Sequence, residues 1–134
     1  MTCPTVSRRA TCACGQLTID CAGSPVRVSV CHCLDCQKRS GSSFAAQARF
    51  ADDRVAVSGR SNQWHREEEG GGAIFDFCPE CGSTVFYRNV GMPGLVAVAV
   101  GAFADPAFPP PAYSIYENRK HAWVDIVGPG IEHN

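Results

Sequence analysis

Cys31-His32-Cys33-Leu34-Asp35-Cys36 sets three thiols within six residues, and its reading decides what kind of chain this is. Cysteines one or two residues apart aim their sulfurs at a common centre when the backbone turns, which suits a tetrahedral ion held by thiolates. Outward from it lie two further clusters, Cys12-Ala13-Cys14-Gly15 and Cys78-Pro79-Glu80-Cys81-Gly82. The three clusters take all but Cys3 and Cys21 of the 9 cysteines.

Disulfides, redox chemistry and metal binding compete for such clusters. The odd cysteine count opposes a disulfide framework, as does the stretch Met1 to Ala10, which is polar and carries two arginines where a secretory leader is apolar. A thioredoxin-like C-x-x-C opens a helix within a βαβ unit, and the chain shows no such pattern. Among metal centres zinc is expected over iron–sulfur, because nothing else in the sequence suggests electron transfer.

Seven thiolates divide as four plus three: a structural zinc takes four protein ligands, and a catalytic zinc takes three and keeps a position open. Cys14 and Cys81 are each followed by glycine, which reaches the positive φ needed to wrap a tight knuckle, whereas Cys36 is followed by Gln37. Cys12, Cys14, Cys78 and Cys81 are therefore expected to form a closed site that clips distant parts of the chain together. That leaves Cys31, Cys33 and Cys36 for the second ion. A different pairing of the clusters is the rival.

Between the clusters the pattern is that of short strands. Leu17 to Cys21 and Val26 to Val30 alternate apolar and polar residues, the latter running straight into Cys31. Phe44–Phe50 and Arg54–Ser58 are expected to be strands joined by a turn at Asp52-Asp53. Ala73–Phe77 and Ser83–Arg88 flank the second knuckle, placing it at a hairpin tip. Leu95–Phe103, Tyr113–Glu117 and Trp123–Val127 complete the set, and one helical turn is expected over Leu34–Arg39. Pro106 to Pro111 reads as a rigid loop. The predicted class is all-β.

The 134 residues, 45% hydrophobic and 19% charged, predict a single globular domain over 1–134. A formal charge of −1 without a clustered basic face argues against nucleic acid as a partner. The longest apolar run, Leu95 to Ala104, is too short to span a bilayer, and a cytoplasmic location is expected. The oligomeric state is not legible.

Other reactive residues receive plainer readings. Cys21 shares a strand face with Leu17 and Ile19 and is expected to be a buried core thiol. Cys3 is expected to be free. Glu67-Glu68-Glu69 before three glycines reads as a solvated turn, and His121 and Trp123 as packing of a last strand. His32 points away from Cys31 and Cys33 if it lies on a strand, so a role beside the ligands or at the surface is expected in preference to a fourth ligand. Lys38 and Arg39 either attract a substrate carboxylate or belong to a solvated turn.

The order C-x-C-G, then C-H-C-x-x-C followed by Ser40-Gly41-Ser42, then C-P-x-C-G resembles the glutathione-dependent formaldehyde-activating enzyme family. The segment from Tyr116-Glu117-Asn118-Arg119 to Trp123 is similar to that family's closing motif. The resemblance implies an all-β fold of the β-tent type with two zinc ions. It implies that Cys12, Cys14, Cys78 and Cys81 hold the structural ion, and that Cys31, Cys33 and Cys36 hold the catalytic one. It also implies a carbon–sulfur lyase that joins formaldehyde to glutathione or cleaves the adduct, as an S-(hydroxymethyl)glutathione synthase does.

Zinc with three thiolates carries a formal charge of −1 and is a poor Lewis acid for carbonyls. A thiol taken into the vacant position nevertheless becomes a thiolate, and proximity to an aldehyde then favours thiohemiacetal formation. The expected partner is a small thiol such as glutathione. The alternative is a non-catalytic, zinc-stabilised binding module, whose second site would be filled by a fixed fourth donor such as His32 or a neighbouring chain.

Overall fold

The computed structural model describes residues 6–134, so Cys3 lies outside the described residues. Two sheets make up the molecule. Strands β1 (Ser7–Thr11), β2 (Thr18–Ala22) and β5 (Val55–Ser58) form an antiparallel sheet in the order β1-β2-β5. The larger sheet holds β3 (Arg27–Cys31), β4 (Ala45–Ala51), β6 (Asn62–Arg66), β7 (Ala73–Phe77), β8 (Thr84–Asn89), β9 (Leu95–Ala99), β10 (Tyr113–Ile115) and β11 (Glu132–His133). Its order is β11-β10-β3-β4-β9-β8-β7-β6, antiparallel except where β10 runs parallel to both β3 and β11. The all-β reading holds. One helix, α1 (Leu34–Ser40), stands where a single turn was expected, and a 3-10 turn over Asp52–Arg54 supplies the expected reversal. Among the described residues no helix is long and apolar enough to cross a membrane.

Alternation along the strands gives the large sheet two unlike faces. One face carries Val28, Ala48, Phe50, Val96 and Val98, which pack with Ala10, Ile19 and Cys21 of the small sheet and with Leu17 beside it. Each valine, leucine, isoleucine or phenylalanine among them contributes about 1.5–3 kcal/mol on full burial. Cys21 is 0% exposed, the core thiol that was expected.

The opposite face is where chemistry collects. Strand register aligns Arg27, Arg49, Ala97, Tyr87, Phe75 and Trp64 in one cross-strand row. The next row pairs Ser29 with Gln47, and the one after it pairs Cys31 with Ala45. The aromatic end of the first row is tightly nested, with ring centroids 5.6 Å apart for Trp64–Phe75 and 4.9 Å for Phe75–Tyr87.

Several expectations need correction. Trp123–Val127 is not a strand: the N–H of Val124 closes a turn on the carbonyl of His121, and Trp123 is 75% exposed. Only Val124 of that alternating stretch is buried, so neither Trp123 nor His121 belongs to a packed last strand. The run from Leu95 leaves the sheet after Ala99 and winds into a 3-10 turn over Val100–Phe103, which turns Phe103 onto Phe50 and Phe108. The strand from Tyr113 stops at Ile115 because Tyr116 takes a left-handed conformation, φ 57°. Strands β1, β6 and β11 were not foreseen. β1 and β6 carry few apolar residues, and β6 is a mostly exposed edge.

Candidate metal centre and its cavity

Cys12 and Cys14 sit in the turn between β1 and β2, while Cys78 and Cys81 sit at the tip of the β7–β8 hairpin. The structure brings all four together, with sulfurs within 4.8 Å of one another. Cys12 and Cys14 sulfurs are 3.6 Å apart, and those of Cys14 and Cys78 are 3.7 Å apart. A tetrahedral zinc with bonds of about 2.3 Å spaces its sulfurs at about 3.8 Å, so the donor set fits zinc, and none of the four cysteines is in a disulfide. The knuckle glycines behave as the sequence required, Gly15 at φ 86° and Gly82 at φ 79°.

N–H groups converge on these sulfurs, as they do around thiolate ligands. Leu17 N donates to Cys12 and Glu80 N to Cys78, both at 3.3 Å, and Gln16 Nε2 donates to Cys78 at 2.9 Å. Burial pushes the Cys78 thiol up, but the Gln16 amide and the N–H groups of Cys81 and Glu80 bring it below its ordinary value. The hydroxyl of Ser83, with nearby backbone N–H groups, draws Cys81 down to about 5.

The second cluster is built by a strand end and a helix start. Cys31 closes β3, Cys33 caps α1 by accepting from Cys36 N at 3.3 Å, and Cys36 lies in the first turn. Their sulfurs lie within 4.8 Å of one another, and among the described residues no fourth His, Cys, Asp or Glu joins them. A hydrogen bond from Cys36, aided by Cys33 and the Arg39 charge, lowers Cys31 to about 6; Cys36, holding the shared proton, is raised.

His32 is buried, not at the surface. Its Nε2 lies 2.9 Å from Ser114 Oγ and its ring rests against Phe44, so it stands apart from the three sulfurs. His121 instead reaches Gln37, Nε2 to Oε1 at 2.9 Å. Lys38 is exposed, whereas Arg39 folds back over the rings of Phe75 and Tyr87, at 4.9 and 5.1 Å from their centroids. The glutamate run is solvated, although Glu68 reaches Arg66 at 3.6 Å.

Cys31, Cys33 and Cys36 open onto a cavity of about 380 Å³. Gln47, Arg49, Arg66, Tyr87 and Tyr116 line it, none of them foreseen from the sequence. A signal existed: Gln47 and Arg49 are polar at alternate positions of an otherwise apolar strand, and that strand begins opposite Cys31.

The profile of the glutathione-dependent formaldehyde-activating enzyme matches residues 7–119, a span that contains all seven clustered cysteines. The chain belongs to the glutathione-dependent formaldehyde-activating enzyme family. No curated protein matches the sequence closely enough to count as a relative. Among solved structures, a Rhodobacter sphaeroides protein shares the fold with a TM-score of 0.57 and 20% identity, over 70% of this chain and 85% of that one. The chain thus combines membership of the formaldehyde-activating family with two cysteine clusters able to hold metal.

Proposed function

We propose that this chain is a zinc-dependent carbon–sulfur lyase that joins a small thiol to an aldehyde and cleaves the adduct, as S-(hydroxymethyl)glutathione synthase does. One observation carries the reading: three sulfurs, joined by no fourth protein donor among the described residues, face a cavity of about 380 Å³. In this reading Cys12, Cys14, Cys78 and Cys81 hold a structural zinc, and Cys31, Cys33 and Cys36 hold a catalytic one. A zinc ion bound there supplies the lowered thiol pKa that makes an incoming sulfur nucleophilic near neutral pH.

The chain's own residues supply the rest. Arg39 extends from α1 over Phe75 and Tyr87, and its positive charge favours negative sulfur at Cys31. Phe75 and Tyr87 wall off water, and the confined volume holds thiol and aldehyde in contact. In the forward direction a sulfur–carbon bond forms and the thiol proton passes to the aldehyde oxygen. Cleavage returns both, without oxidation or reduction.

The rival reading, a binding module, requires a fixed fourth donor. His32, the candidate for that part, holds Ser114 through Nε2, and neither of its ring nitrogens joins the cluster of three sulfurs. Exchange NMR with labelled formaldehyde and glutathione tests the proposal. Zinc-loaded protein is expected to exchange free and adducted formaldehyde faster than buffer does, and Cys36→Ala to lose that gain. A rate equal to that of buffer, with both zinc ions retained, would sink it.

A further inference from the structure

Three guanidinium groups, Arg39, Arg49 and Arg66, line the cavity together with two carboxylates, Asp35 and Glu68. Of the three, only Arg66 is within ion-pair distance of a carboxylate, Glu68 at 3.6 Å. Arg49 gives Nη2 to the neutral Asn89 Oδ1 at 3.2 Å. Arg39 rests on two aromatic rings, and its Nε is buried without a hydrogen-bond partner. Among the described residues neither Arg39 nor Arg49 is within ion-pair distance of a carboxylate.

Gln47 adds a second unmet demand. It is 2% exposed, its Nε2 donates to Ser29 Oγ at 2.9 Å, and its Oε1 has no partner. Turning the amide over exchanges the two atoms but still leaves one of them free. A buried, unsatisfied polar atom in a cavity wall is a vacancy for a ligand's hydrogen bond.

These groups are ordered along the sheet. Cys31, then Ser29 with Gln47, then Arg27 with Arg49 occupy successive rows of one face. Rows on one face are two residues apart, roughly 6.6 Å, so the sulfur and arginine rows are separated by roughly 13 Å of strand. Arginine side chains shorten the gap. A ligand that satisfies the whole face therefore has its sulfur at one end, an anion several bonds away, and a hydrogen-bonding group between them.

We propose that Arg39 and Arg49 form a carboxylate cradle in this cavity, with Gln47 as the hydrogen-bonding post between the cradle and the three sulfurs. The proposal rests on the thiol–aldehyde reading only for which end of the ligand meets the cysteines. A planar guanidinium fork suits a carboxylate, and the half-enclosed setting strengthens the pair relative to one in water.

Calorimetry on zinc-loaded protein tests it with three probes: 6-mercaptohexanoate, 6-mercaptohexan-1-ol and 6-(methylthio)hexanoate. The acid is expected to bind about tenfold or more tighter than the alcohol, the value of a hydrogen-bonded charge. Arg49→Met and Arg39→Met should shrink that ratio towards one, and Arg49→Lys should restore part of it. Thermal melting identifies any variant that fails to fold, and either arginine variant alone suffices. Equal binding of acid and alcohol, or a ratio untouched by both methionine variants, would overturn the cradle. The methylthio acid separates the two ideas, since it offers a carboxylate but no thiol. If it competes with the mercapto acid while no thiol alters the spectrum of cobalt-substituted protein, the cradle stands and the thiol-activation reading falls.

Discussion

Gln16 holds Cys78 from the side: its Nε2 donates to the cysteine sulfur at 2.9 Å and to the Arg60 carbonyl at 2.8 Å. The Arg60 N–H returns a bond to Gln16 Oε1 at 2.9 Å, so the amide is fixed at both atoms and cannot swing away. Groups that orient a metal ligand in this way are worth roughly 10–100-fold in metal affinity. Gln16→Ala is expected to weaken metal binding at the four-cysteine cluster by that factor, read by competition with a chromophoric chelator. Unchanged affinity would make the bond incidental.

The two clusters should respond differently to losing one cysteine. Cys81 belongs to the cluster that joins the β1–β2 turn to the β7–β8 hairpin, whereas Cys31, Cys33 and Cys36 lie within one short stretch. A structural zinc contributes on the order of 10 kcal/mol to folding, comparable to the ~5–15 kcal/mol stability of a whole domain. Cys81→Ala should therefore be largely unfolded or insoluble, and Cys36→Ala should remain folded and lose metal only at the cavity. Circular dichroism with metal analysis decides; the reverse order of damage would mean that the structural and catalytic sites are exchanged.

A pair of glycine substitutions separates backbone strain from collision. An added Cβ at Gly82, φ 79°, meets nothing within 4 Å, while one at Gly59, φ 95°, falls 2.0 Å from the Gln16 carbonyl oxygen. Gly82→Ala should cost about 1–2 kcal/mol, the penalty of a left-handed alanine. Gly59→Ala should cost more and also weaken the four-cysteine cluster, because Gln16 must shift. Denaturant titration and zinc competition measure both, and equal costs would contradict the collision.

Glu117 gives the chain's end a pH dependence. The Ser114 hydroxyl and His133 hold its carboxyl below the ordinary carboxylate value, and His133 Nδ1 lies 2.7 Å from its Oε2. A group with a lowered folded pKa contributes stability that is complete above the unfolded value and is lost as pH falls through the folded one. Melting temperature should therefore drop below about pH 4.3, the unfolded carboxylate value, and drop less steeply in Glu117→Gln. Parallel pH profiles for the two proteins would remove Glu117 from the account.

The cysteine clusters were legible because the spacing of thiols is a local property, and even the long-range partner of Cys12 and Cys14 was marked by the glycine after Cys81. The cavity was not legible. Arg49, Arg66 and Tyr87 lie on β4, β6 and β8, and only strand register makes them neighbours of Cys36. Arg66 and Tyr87 carry no mark within their own strands, and the alternate polar pair Gln47 and Arg49 of β4 does not say what its face meets. Trp123–Val127 misled for the opposite reason: its alternation is real, but no strand lies there to bury the alternate residues, and the exposed Trp123 ring meets His121 at a tilt of 55°, centroids 5.5 Å apart. Edge strand β6 escaped notice because a strand with little to bury has little apolar pattern to show.

Parallel docking of β10 on β3 also has a temporal side. It places Ser114 beside His32 across 82 residues, and it carries Tyr116 to the cavity rim. A polypeptide leaves the ribosome N-terminus first, so Cys31, Cys33 and Cys36 emerge long before the segment that roofs them. Pairings this distant in sequence also close slowly once the chain is free. The trio of thiols is thus complete in the growing chain before Ile115 and Tyr116, which line its cavity, have been made.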